Sequence, residues 1–145
     1  MLAVLGCETD SREISFDFIH SGCSVATKAG DETSRLTLKY TEHGLWVIRT
    51  NATLNCIIKT DPDCVKCKVS VDGNVIDYSV FVDSDMSANC ICPVEEMSSV
   101  VAGLEEGVEY TFNYHFDGRS FAPISFTFMK SLNLVIDPDL YQVYP

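Results

Sequence analysis

The residues with the most chemistry to offer are seven cysteines: Cys7, Cys23, Cys56, Cys64, Cys67, Cys90 and Cys92. Thiolates can hold a metal, pass electrons or pair. Cys64-x-x-Cys67 with Cys90-x-Cys92 supplies four thiolates, the number a structural zinc takes. A zinc ribbon needs two C-x-x-C knuckles, and C-x-C is the wrong second half, so no metal is expected. A thioredoxin-like use of Cys64-Val65-Lys66-Cys67 fails because no βαβ pattern surrounds it. Pairing remains, the usual fate of thiols in an oxidising, exported compartment. With Cys7 set aside, the disulfide candidates Cys23, Cys56, Cys64, Cys67, Cys90 and Cys92 allow three bridges in fifteen connectivities. Cys56 facing Cys90 or Cys92 ties two neighbouring strands or sheets. Cys64 and Cys67 closing on each other leave Cys23 the remaining partner. Spacing does not choose among these, and each bridge contributes about 2–4 kcal/mol.

Cys7 is set aside because Val4-Leu5-Gly6-Cys7 is similar to a bacterial lipobox, in which the leader is cut before the cysteine and the thiol is acylated. The apolar run before it is shorter than the roughly 7–15 residues of a full leader core and lacks a basic start. The reading therefore requires a true start upstream of Met1; its rival is an ordinary apolar tip. We read Cys7 as the lipidation site.

Other groups are weaker. His20, His43 and His115 share no motif, and a Cys/His nucleophilic pair lacks an orienting context. Asp61/Asp63, Asp83/Asp85 and Asp137/Asp139 are D-x-D pairs of a kind that can chelate calcium. Each sits where Asp is favoured for local hydrogen bonding in a turn, so they read as turns. Trp46, the single tryptophan, is either a sugar-stacking platform or, as we read it, core. Asn51-Ala52-Thr53 fits the glycosylation acceptor pattern, incidental in a bacterial protein. No catalytic residue and no cofactor is expected.

The elements that would position these groups are strands. Leu104, Gly107 and Tyr110, spaced L-x-x-G-x-x-Y, are the pattern with which an immunoglobulin-like sandwich turns from one sheet to the other, the tyrosine hydroxyl reaching back to the backbone. The rival is any hairpin ending in a glycine turn. Tyr110, Phe112, Tyr114 and Phe116 then alternate with polar residues, as do Leu36/Leu38/Tyr40, Leu54/Cys56/Ile58, Val65/Cys67/Val69/Val71, Ile76/Tyr78/Val80 and Ile124/Phe126/Phe128. Period two marks strands with one buried face. Leu45–Ile48 is almost continuously apolar and reads as buried on both faces, with Asn51-Ala52 breaking it. Ile14/Phe16/Phe18 make a first strand and Leu132/Leu134/Ile136 a last. Asp72-Gly73-Asn74 is the clearest hairpin turn. Turn signals recur about every ten residues and helical periodicity is absent, which implies an all-β, immunoglobulin-like antiparallel β-sandwich of about seven to nine strands. We divide the chain into residues 1–13, a lipobox-like tip and acidic tether; 14–136, one sandwich domain; and 137–145, a tail.

The net charge of −11 repels phosphate backbones and anionic lipid, so nucleic acid is excluded as a partner, and so is purely electrostatic docking on a membrane. Gly44-Leu45-Trp46-Val47-Ile48, Asn51-Ala52-Thr53-Leu54-Asn55-Cys56, the 72–74 hairpin, Cys90-Ile91-Cys92 and Gly103–Gly107 leading to Tyr110 together resemble the small uncharacterised exported lipoproteins of Bacteroides-type gut bacteria. The resemblance spans roughly 36–128. It departs where Pro93-Val94-Glu95-Glu96 replaces an aromatic Tyr-Asp, and at the inserted Cys64–Cys67. It implies an immunoglobulin-like sandwich on a lipid anchor at the outer membrane or cell surface, with no assigned activity. The expected role is a non-catalytic binding or adhesion module for a protein or glycan. The alternatives are a structural accessory of an envelope complex and, behind it, a hydrolase or thiol-redox enzyme.

Overall fold

The structure is a computed structural model and describes residues 7–10, 18–23 and 34–143. Its strands are β1 (Cys7–Asp10), β2 (Phe18–His20), β3 (Arg35–Thr41), β4 (Gly44–Asn55), β5 (Val65–Asp72), β6 (Val75–Val82), β7 (Ile91–Val101), β8 (Glu109–Phe116), β9 (Arg119–Phe121), β10 (Ile124–Thr127), β11 (Asn133–Ile136) and β12 (Gln142–Val143). A single-turn helix α1 (Ile57–Thr60) and two 3-10 turns, Pro62–Cys64 and Pro138–Leu140, complete it.

Two sheets pack face to face. One is seven-stranded in the order β1-β5-β6-β8-β9-β12, with β10 also on β8; the other is five-stranded, β11-β3-β4-β7-β2. Hairpins dictate much of this order. Gly73 takes φ +62° at the β5–β6 turn, a glycine-first two-residue loop whose twist suits the flanking strands. Asp117 (φ +51°) and Gly118 (φ +81°) turn β8 into β9. The pairing is antiparallel except for β1 on β5 and β6 on β8, which run parallel. Those two pairs depart from an all-antiparallel sandwich. The strand count exceeds nine because short edge segments, including β12 in the supposed tail, join the sheets.

The alternating residues form the core: Val65, Cys67, Val69 and Val71 on β5, Ile76, Tyr78 and Val80 on β6, and Tyr110, Phe112, Tyr114 and Phe116 on β8 are all buried. They face Leu36, Leu38, Leu45, Val47, Leu54, Val94, Met97 and Val101 of the other sheet. Asn51 does not end β4. It adopts φ +56°, and the ladder skips from Thr50↔Glu96 to Ala52↔Val94. This bulge resets the alternation, so that Arg49 and then Ala52 and Leu54 point inward. Nor does the strand run on through Cys56 and Ile58: Cys56 opens α1, and Ile58 is buried from the helix.

The corner between β7 and β8 crosses from the five-stranded to the seven-stranded sheet. The Glu105 N–H donates to the Tyr110 hydroxyl at 2.9 Å, Gly107 takes φ +90°, and Leu104 packs against the core. Two polar links also cross the core. The Tyr78 and Ser99 hydroxyls are 2.7 Å apart, and Arg49 Nη1 donates to the Tyr114 hydroxyl at 3.0 Å.

Residues 1–6, 11–17, 24–33 and 144–145 lie outside the described residues, and with them Ile14 and Phe16 of the expected first strand and most of the loop after it. Within the segment read as a tether, Cys7–Asp10 runs beside Cys67–Ser70 as strand β1.

Candidate functional site

The cysteines separate into three groups. Cys56 bridges Cys90, with Cα atoms 5.4 Å apart, and Cys23 bridges Cys92 at 5.6 Å. Both bridges join neighbours of the five-stranded sheet, β4 to the approach of β7 and the end of β2 to β7. They staple strands side by side and do not tie the two sheets together. The β4 end is reinforced by the Cys56 N–H donating to the Cys90 carbonyl at 3.0 Å. There Asn55 accepts from the Ala88 N–H and donates to the Ala88 carbonyl, at 2.9 and 2.8 Å.

Cys64 and Cys67 do not close on each other, correcting that candidate pair: both are buried free thiols. Cys64 ends a 3-10 turn and Val65 is already extended. Three extended steps carry the chain roughly 10 Å, past the roughly 7 Å Cα limit of a bridge. Burial, then the charge of Asp61, pushes the Cys64 thiol above its ordinary value, which disfavours the nucleophilic thiolate. Cys7 lies in register with Cys67. No group of three or more potential metal ligands gathers among the described residues.

Arg49 had no signal in the sequence beyond its place in an apolar strand. It is 7% exposed. Its Nε donates to the Ser34 hydroxyl at 2.9 Å, and its guanidinium lies 4.5 Å from the Phe116 ring centroid. Burial raises the Tyr114 hydroxyl above its ordinary value, and the nearby Arg49 charge offsets part of that. The pair reads as a structural strut, since the stack of Phe112, Tyr114, Phe116 and Phe121 closes around it.

Trp46 corrects the sequence reading most usefully. Core positions on β4 are Leu45, Val47 and Arg49, so Trp46, Ile48 and Thr50 point away from the core and are only half-buried. Register then sets out the whole outward side of the five-stranded sheet. One row runs Val100, Trp46, Lys39, Asn133; the next runs Ile19, Ser98, Ile48, Thr37, Val135; the third runs Glu96, Thr50, Arg35. Ile19 and Val135, at the two ends of the middle row, are 67% and 54% exposed. At the β2 end of these rows a cavity of about 280 Å³ is lined by Ile19, His20, Ser21, Glu95, Glu96 and Ser98. Its wall is fixed by the Ser21 hydroxyl, which accepts the Glu95 and Glu96 N–H groups at 3.0 and 3.2 Å. The Gly22 N–H donates to His20 Nδ1 at 3.2 Å. Chemically, face and cavity offer an indole, aliphatic ridges, hydroxyls, an amide, two cations and two carboxylates.

No protein-family model, curated protein or solved structure matches the chain.

Proposed function

We propose that the protein is a non-catalytic binding or adhesion module of a bacterial cell envelope, held there by a lipid on Cys7, and that it engages its partner through the outward side of the five-stranded sheet. The observation that carries this is Trp46 on that side, in line with Ile48, Val100, Ile19 and Val135. A large aromatic with aliphatic neighbours on a solvent-facing sheet is the part of a surface that contributes most when a partner covers it. Two bridges hold β2, β4 and β7, the strands that carry most of the face, in fixed register. A rigid surface loses little entropy on binding. The paired cysteines fit an exported compartment.

Site-specific photo-crosslinking in the envelope tests this. A benzophenone side chain replaces Thr37 or Ser98 on the face, or Asn74 at a distant hairpin as control. Crosslinks from the face positions and none from the control are expected. Face positions that stay silent overturn the reading. A crosslink to a single protein that already co-purifies from membranes would make the chain an accessory subunit instead.

A further inference from the structure

We propose that the ligand of this face is a saccharide chain, stacked on Trp46 and reaching into the cavity at the β2 edge. This rests on the face being the binding surface, and it adds the chemical class of what binds. An indole presents a flat, electron-rich surface with a polar edge, and the C–H face of a sugar ring is its counterpart. Beside it stand Thr37, Thr50, Ser98 and Asn133, short donors and acceptors at the height of ring hydroxyls. In the cavity, Glu95 and Glu96 are acceptors for hydroxyl groups, with Ile19 as an apolar floor. At about 280 Å³ the cavity lies near the lower end of small-ligand sites, roughly 300–1,000 Å³, a size for one ring at the end of a chain.

Size separates a saccharide from a protein partner. Five strands at about 4.8 Å spacing and three rows about 6.8 Å apart span roughly 19 by 14 Å. That is about 270 Å², against about 800 Å² per side in a stable protein–protein interface. A narrow strip suits a linear chain of rings. Charge agrees. The chain carries −11 overall, yet the rows hold Lys39 and Arg35 against the single carboxylate of Glu96. Neutral and uronic-acid sugars are therefore not repelled where they would lie.

Trp46 is the only tryptophan, so its emission reports on this face alone. Gel retardation and emission titration against mannan, a mixed-linkage β-glucan, a galactan, hyaluronan and polygalacturonate make the experiment. At least one polymer is expected to retard the protein and shift the emission. Trp46→Phe should keep part of the affinity, and Trp46→Ala should weaken it at least tenfold while the circular dichroism and unfolding midpoint stay put. Glu96→Gln should weaken a neutral polymer and spare or strengthen an acidic one. Retardation that survives Trp46→Ala overturns the assignment. If no polymer binds, yet crosslinking at Thr37 and Ser98 captures a protein, the saccharide is wrong and the binding face stands. If both fail, both fall.

Discussion

At the residue scale, the Arg49–Tyr114 pair determines how the fold responds to alkali. Burial favours the neutral Tyr114 hydroxyl in the folded state, so its value lies above the unfolded 10.0. A folded value above the unfolded one means that the native state holds the extra proton, so stability from this group is fully present below about pH 10 and is lost as pH climbs through the folded value. Tyr114→Phe removes that group and with it this part of the alkaline loss. At neutral pH the same change leaves a buried guanidinium N–H without its acceptor, a cost of about 1–3 kcal/mol. Arg49→Met strands the hydroxyl instead. The double variant strands neither, and should be less destabilised than the sum of the two singles. Denaturant titrations at pH 7 and pH 10.5 check both statements; strict additivity would mean the two groups do not act together.

At the scale of elements, β4 shows how close backbone approach sets the sheet. Gly44 starts the strand at φ +139°, and a Cβ there would lie 2.8 Å from the Val101 carbonyl carbon and 2.9 Å from Ala102 Cα. Gly118 also has positive φ, but open space around it. Gly44→Ala should therefore cost at least about 2 kcal/mol and Gly118→Ala clearly less, because the first adds a backbone clash to the roughly 1–3 kcal/mol of dihedral strain. Equal costs in denaturant melts would remove close packing as the reason for Gly44. The strands themselves were legible: β5, β6 and β8 alternate cleanly, and alternation states which face is buried. Leu45–Ile48 does not alternate, so the side on which Trp46 lies depends on which neighbours cover it, and that is not local information. Leu54, Cys56 and Ile58 fit a strand as well as they fit a strand end plus one helical turn; the Asn51 bulge and the Asn55 clamp decide between them. The L-x-x-G-x-x-Y spacing was readable because the corner closes within five residues. The partners of Cys23 and Cys90 lie 69 and 34 residues away, and the parallel β6–β8 pairing is likewise set by the whole sheet.

At the scale of the molecule, the β1–β5 register turns the lipid anchor into a statement about orientation. Cys7 sits beside Cys67, two residues into β5, at the end of the sandwich that carries α1. An acyl chain on Cys7 would leave directly from a sheet edge, without a tether, so that end faces the bilayer. β4 runs away from it: from Asn55 back to Trp46 is nine residues, roughly 30 Å of strand. The Trp46 row therefore stands clear of the lipid, where a partner outside the cell can reach it. In vesicles carrying the acylated protein, acrylamide should quench Trp46 and headgroup-labelled spin lipids should not. Strong quenching by the spin lipid would place the face against the membrane and sink this orientation. The thiol count gives a second handle on the same geometry. Alkylation under denaturing, non-reducing conditions should modify only Cys64 and Cys67 in the acylated protein. A bridge between Cys7 and Cys67, which the register brings side by side, would leave Cys64 alone to react. That outcome would remove the anchor and free the sandwich from the membrane altogether.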